Sequence, residues 1–166
     1  MTLTTNTLWI AESVLTAMRQ LAARYDPLET GGMILGYQAE NREVVVSAMI
    51  GPGPRARHRR FRFRPDYDYQ QTSLDAHHRK TQGRDTYLGD WHTHPSGACA
   101  LSWLDKRVLA RIASTASSGT MHPIMVVLAG SGGAWDLGAS QLLSFGKGIF
   151  STVELMQLAP RSFADA

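Results

Sequence analysis

The chain predicts a mixed α/β fold, α+β in the way its strands and helices segregate. Three observations carry that expectation. An apolar stripe at helical spacing stands near the start, strand-like runs follow it, and a second helical stripe separates an extended stretch from a last group of strands. The 166 residues are 43% hydrophobic and 19% charged, the composition of a globular chain long enough to bury a core. The expectation is one domain over residues 1–166, with a short frayed tail at 159–166. No internal repeat or linker divides it.

Residues 11–24, AESVLTAMRQLAAR, place Val14, Leu15, Met18, Leu21 and Ala22 at helical spacing, among residue types that form helices readily. Pro27 stops that helix and leads to Glu29. GGMILGY (31–37) and EVVVSAMI (43–50) read as a hairpin around the polar break QAEN, with Gly31 and Gly32 letting the backbone bend or approach something closely. GPGPRA (51–56) has the spacing of a dinucleotide fingerprint. Pro52 and Pro54, however, remove two N–H donors that would hold a pyrophosphate, and no helix opens after it, so it is a loop.

Net charge is +3 and unevenly placed. Of seventeen Lys+Arg, six arginines lie between Arg55 and Arg64, a stretch without an acid; the remaining eleven face fourteen Asp+Glu. The basic character is therefore local. Within it, RRFRFRP alternates, which as a strand puts Phe61 and Phe63 on one face and Arg60, Arg62 and Arg64 on the other. Two readings stand: a solvated amphipathic strand, or a contact surface for an acidic partner. PDYDYQQTSLDAHHRKTQ (65–82) opens like a helix, with Pro65 and Asp66 in its first turn. The adjacent His77 and His78 face different sides of it and do not share a metal.

RDTYLGDWHTHP (84–95) reads as a strand in which His92 and His94 point the same way. SWLDKRVLARIAS (102–114) is a helix with Leu104, Val108 and Ile112 at i, i+4 and i+8, and MHPIMVVLAG (121–130) is an apolar strand. AWDLG and QLLSF follow as shorter strands, and STVELMQL is ambiguous. The N-terminus lacks the basic and apolar regions of a secretory signal, and the longest apolar run, Ile124–Ala129, is too short to span a bilayer. A single cysteine, Cys99, fits a reducing compartment. A soluble cytoplasmic protein with no membrane partner is expected.

The chemistry concentrates between Gly89 and Arg111. Taken alone, Ser102-x-x-Asp105 is a helix capping box, and His-Thr-His is uninformative. Together, His92, His94 and Asp105 supply two imidazole nitrogens and a carboxylate oxygen, a ligand set of catalytic zinc, which acidifies water to a pKa of about 7. Glu29, at the mouth of a strand, is the candidate base for that water. Ser102 is the candidate hydroxyl donor to the oxyanion formed at a carbonyl, whether or not it also caps the helix. Cys99, between the ligands, is read as a free thiol, because a fourth ligand would close the site. Trp91 and Trp103 flank it, as core packing or as a groove wall. His58 and His122 receive no role.

The pattern Glu29…His92-Thr93-His94, seven residues, Ser102-x-x-Asp105 resembles that of the JAMM (MPN+/JAB1) zinc metallopeptidases, with no substitution at any of the five positions. Pro95 and the segment ETGGMILG agree as well, and the resemblance extends over most of residues 10–155. Compact prokaryotic JAB proteins are the most similar branch, some of them encoded beside E1-like and E2-like enzymes in bacterial antiphage (CBASS) operons. The resemblance implies a cytidine-deaminase-like curved mixed β-sheet flanked by helices. It implies one zinc per chain held by His92, His94 and Asp105, with Glu29 and Ser102 catalytic. It also implies an isopeptidase acting on a protein with a flexible C-terminal tail, either ubiquitin-like or a cGAS/DncV-like nucleotidyltransferase conjugated by an E1/E2-like system. Arg60, Arg62, Arg64 and Trp103 are the substrate-binding candidates. Three other readings are a processing peptidase for a ubiquitin-like sulfur carrier, a non-catalytic scaffold of the same fold, and a nucleic-acid binder built on the arginines. The scaffold relatives lose metal ligands, which this chain keeps. The arginine run lacks a recognition motif, so nucleic acid is not the expected partner.

Overall fold

The computed structural model describes residues 6–40, 43–148 and 152–165. Among the described residues, twelve segments become strands or α-helices in the following way. Leu8 and Ile10, both fully buried, make Thr7–Ala11 a strand (β1) that passes straight into helix α1, Glu12–Tyr25. β2 (Gly31–Gln38) and β3 (Val44–Ile50) form the expected antiparallel hairpin. A Cβ on Gly32 would lie 1.8 Å from the Ile50 carbonyl oxygen and one on Gly31 2.3 Å from the Trp91 carbonyl oxygen, so of the paired glycines Gly32 closely approaches β3 and Gly31 the backbone at Trp91. After the loop at 51–56 come β4 (Arg57–Arg59), β5 (Arg62–Arg64) and helix α2 (Tyr67–Lys80), whose N-cap is Asp66. β6 (Thr86–Pro95), α3 (Trp103–Ser114), β7 (Ile124–Ser131), β8 (Ala134–Phe145) and β9 (Val153–Phe163) complete the order.

Seven strands join in one mixed sheet, β1-β3-β2-β6-β7-β8-β9, which closes because β9 pairs in parallel with β1. β7 is parallel to β6 and antiparallel to β8. It is buried on both faces, as its unbroken apolar sequence requires. Ile124, Val126 and Leu128 face one cluster with Val14, Leu15, Met18 and Ala22 of α1. Met125, Val127 and Ala129 face the other, where Leu109 of α3 is fully buried. The mixed α/β fold class is thus the one the sequence predicts. Among the described residues, no helix is long and apolar enough to cross a membrane.

Four expectations need correction. The expected frayed tail, 159–166, is largely strand. Residues 159–163 register with Thr7–Ala11, and Asp165 accepts a hydrogen bond from the Ser13 backbone N–H. The segment is ordered because it covers the edges of both β8 and β1, closing the sheet. AWDLG and QLLSF are one strand, β8, across the intervening Ala-Ser. RRFRFRP is not one strand but the turn and second arm of a tight hairpin. Phe61 sits in the turn and is 82% exposed, while Phe63 pairs with His58, so the two rings share no face. On α3 the buried anchor is Leu109 rather than the Leu104 stripe. Leu104, in the first turn, stays 53% exposed, while Leu109 reaches the residues of β7 and β8.

Asp85, 1% exposed, pins α2 to the sheet. Its carboxylate accepts from Ser47 Oγ (2.7 Å) and Arg84 Nε (2.9 Å) and meets His77 Nε2 at 2.8 Å. His78 Nδ1 donates to its carbonyl oxygen at 3.4 Å. The two histidines therefore meet one residue, at its side chain and at its backbone, and hold no metal cluster among the described residues. Burial pushes the Asp85 carboxyl up, but Arg84, His77 and Ser47 outweigh it and bring it down to about 2. A folded pKa below the unfolded value contributes stability that is present above about pH 4 and lost as pH falls toward 2. Discounted for the exposed Arg84, it is worth about 1–2 kcal/mol. Asp85→Asn is expected to lose that amount near neutrality and to flatten the acid limb of the stability curve. Acid denaturation curves that superimpose on the wild type's would refute it.

Candidate metal centre

β6 remains extended through Thr93, so its side chains alternate. Trp91 and Thr93 are buried toward the core, and Asp90, His92 and His94 face the other way. The Trp91 indole is 1% exposed and its Nε1 donates to the Ile50 carbonyl at 3.4 Å, which makes it core and not a wall of the site. α3, anchored by Leu109, begins beside the two histidines. Ser102 caps it and Asp105 stands at the third position of the box. Asp105 N–H donates to Ser102 Oγ (3.1 Å), and Ser102 N–H donates to Asp105 Oδ2 (2.7 Å). An acid in the first turn also meets the positive end of the helix dipole.

These two placements bring His92, His94 and Asp105 together, with one ligand atom from each inside a 4.8 Å cluster. The Nε2 atoms of the histidines lie 2.8 Å apart, and Asp105 Oδ1 and Oδ2 lie 3.3 and 3.4 Å from them. His94 Nδ1 donates to the Ala98 carbonyl at 2.8 Å, which leaves Nε2 as the lone-pair nitrogen and aims it into the cluster. His92 Nδ1 rests 3.2 Å from Met125 Sδ. Two soft-to-borderline nitrogens, one anionic oxygen and a fixed tautomer are a donor set that fits a transition metal with a position to spare. Burial opposes charge on Asp105, but His92, His94 and the Ser102 bond hold its carboxyl well below the usual range. The same carboxylate raises His94. Cys99 is outside the cluster. Its thiol is unpaired, directed at the Val127 carbonyl (3.8 Å), and pushed up by burial.

Glu29 reaches the site through the β2–β6 register. Gly31 pairs with His92, and one step on, Thr93 N–H donates to the Thr30 carbonyl (2.9 Å) while Thr30 N–H donates to Thr93 Oγ1 (3.0 Å). Glu29 therefore comes alongside the histidines without joining the cluster of ligand atoms. Burial raises its carboxyl, the His92 and His94 charges lower it, and the Asp105 charge raises it; the balance is upward. Its own backbone is held on both sides by the arginine hairpin. Glu29 N–H donates to the Arg59 carbonyl (2.8 Å), and His58 Nδ1 donates to the Glu29 carbonyl (3.0 Å).

The five residues singled out in the sequence are thus contiguous. Ser102 and Trp103 are exposed at the mouth, the latter at 70% with the Arg107 guanidinium 4.6 Å from its ring centroid. Two neighbours were missed. Asp90 lies on the histidine face, its carboxyl pushed up to about 6 by desolvation, and accepts from Tyr87 Oη at 2.8 Å. Its signal was available, since it precedes His92 by two in the same alternation. His58 gave no signal, because its partner is a backbone carbonyl 29 residues away in sequence.

Residues 11–138 match the family described as prokaryotic homologs of the JAB domain. A curated relative from Sinorhizobium fredii, "Probable metalloprotease y4qB", is 39% identical over 129 residues, covering 77% of this chain and 79% of the relative. A "CD-NTase/cGAS isopeptidase" from Enterobacter hormaechei is 28% identical over 137 residues, covering 81% of this chain and 74% of that one. In fold, the solution structure of protein DSY2949 from Desulfitobacterium hafniense superposes with a TM-score of 0.65 at 15% identity, over 96% of this chain and 94% of that one.

Proposed function

The chain belongs to the prokaryotic JAB-domain family of metal-dependent hydrolases, and from that premise we propose that it is a zinc isopeptidase. It acts on the C-terminal tail of a ubiquitin-like or CD-NTase (cGAS/DncV-like) protein, in the cytoplasm, where it reverses conjugation by an E1/E2-like system. The observation that carries the reading is the convergence of His92, His94 and Asp105 within 4.8 Å, with Glu29 beside the cluster and outside it. One zinc per chain would be held by those three. When bound, zinc supplies Lewis acidity, polarising the scissile carbonyl and acidifying water.

This chain's residues do the rest. The Glu29 carboxylate takes a proton from the attacking water and later hands it to the leaving amine, so the proton count closes within one residue. Ser102 spends a lone pair on the Asp105 N–H, which leaves its O–H free to donate to the oxyanion. Trp103, on the first turn of α3, offers an apolar face to the tail beside it. The CD-NTase branch is supported by the named Enterobacter relative.

The test uses reporter proteins fused behind three tails: a CD-NTase tail, a ubiquitin-like tail and a sulfur-carrier tail. Zinc-loaded protein is expected to release the reporter from the CD-NTase tail, to stop when chelated, and to resume when zinc is returned. Release from the sulfur-carrier tail alone transfers the assignment to carrier processing. All three fusions intact, with zinc bound, would leave the scaffold reading.

A further inference from the structure

Hairpin β4–β5 contains an electrostatic conflict that its own fold does not resolve. Its register sets Arg57 opposite Arg64 and Arg59 opposite Arg62. Like charges directly across an antiparallel pair are destabilising. All four side chains are exposed, as is Arg60 in the turn. Among the described residues, no carboxylate lies within ion-pair distance of any of the five. The acids nearest in sequence, Asp66 and Asp68, are taken by Arg55 at 3.2 and 2.9 Å. At the tip, Phe61 is 82% exposed, with the Arg60 guanidinium 5.7 Å from its ring centroid.

The other face of the hairpin explains why so short an element has a fixed position. His58 and Phe63 pair across it and point inward. The His58 ring stacks on Tyr25 at 3.7 Å between centroids, with the planes 12° apart, and tilts against Phe63 at 5.4 Å. The same ring bonds the Glu29 carbonyl, and the Arg59 carbonyl receives the Glu29 N–H. The arginine platform is therefore fastened directly to the backbone of the residue beside the metal cluster.

We propose that the outer face of β4–β5 is the docking surface for an acidic segment of the protein substrate, adjoining the bond that Glu29 serves; this rests on the peptidase reading above. Carboxylates laid between the arginines would turn two repulsive pairs into charge-assisted, bidentate hydrogen bonds. The cavity of about 290 Å³ beside the hairpin is bordered by Arg55, Arg57 and Arg64 but also by Asp66 and Asp68, which Arg55 holds, so the guanidiniums open to an incoming carboxylate are those on the two strands. Phe61 gives the partner an apolar contact beside the charges, which suits a protein surface. A nucleic acid long enough to pass beyond the hairpin would meet a chain whose remaining charge is negative, eleven Lys+Arg against fourteen Asp+Glu.

The experiment compares zinc-loaded wild type with the Arg57→Ser/Arg59→Ser/Arg62→Ser/Arg64→Ser variant. The probes are a fluorescent oligoglutamate, its oligoglutamine counterpart, and a mixed-sequence single-stranded DNA of similar length. Anisotropy at low and moderate salt reads binding without cleavage. The wild type is expected to bind oligoglutamate, more weakly as salt rises, and to ignore oligoglutamine. The variant should bind about tenfold more weakly or worse. Because the substitutions remove like-charge pairs, its melting temperature should equal or exceed the wild type's. Arg62→Ser/Arg64→Ser, one member of each pair, repeats the comparison with the hairpin less altered. Equal oligoglutamate binding by wild type and variants would overturn the proposal. DNA bound more tightly than oligoglutamate would also overturn it, in favour of nucleic acid. A protein that cleaves none of the tail fusions yet binds oligoglutamate through these arginines sinks the peptidase reading alone.

Discussion

Glu29→Ala is expected to keep the metal and lose the reaction. With zinc content unchanged at about one per chain, kcat for a cleavable tail fusion should fall by about a thousandfold. The separation follows from where Glu29 sits. It is not among the atoms that converge to hold the metal, so its truncation removes no ligand. Its backbone bonds to Arg59 and His58 survive in alanine, so the loop that carries it is still held by the hairpin. What disappears is a half-buried carboxylate whose ionisation responds to His92, His94 and Asp105. Glu29→Gln repeats the test with the shape conserved, and the same loss is expected because an amide takes no proton from water. Loss of zinc in both variants would make Glu29 a ligand. Wild-type kcat in either would remove it from the mechanism.

The site was legible in the sequence because its chemistry depends on short spacings. Period two on a strand places His92 and His94 together, and a capping box places Ser102 and Asp105 at one helix end; both rules act over a few residues. Trp91 falls on the core side by the same period, so its placement beside the site followed its position in sequence rather than its face. Long-range placement was less legible. That Glu29 adjoins His94 depends on the β2–β6 register, and that residues 159–163 are strand depends on an open edge at β1. β1 itself is five residues long, too short for a period to stand out, and only its pairing with β3 and β9 reveals it. The arginine stretch misled for a related reason. Its alternation continues through residues 60 and 61, but the chain turns there, and period two then relates side chains across two strands instead of along one.

Asp105 has two functions, and substitutions can pull them apart. Its carboxylate closes the capping box on the Ser102 N–H and also faces both Nε2 atoms of the histidine pair. Asp105→Ala and Asp105→Asn should both lose cleavage, with metal affinity reduced by about a hundredfold or more, beyond the usual cost of disturbing a group that merely orients a ligand. Their metal-free forms should differ. The asparagine oxygen can still accept from the Ser102 N–H, so that variant is expected to keep the cap and to lose only what the carboxylate's charge contributes beside His92 and His94. Alanine leaves the Ser102 N–H without its partner at the start of α3 and should cost about 1 kcal/mol more. Metal titration and denaturant unfolding of both metal-free variants measure the two effects separately. If both variants bound zinc as the wild type does, Asp105 would be a helix cap and nothing more. If the alanine variant were as stable as the asparagine one, the box would be incidental, and the residue's place at the helix start would be owed to the metal alone.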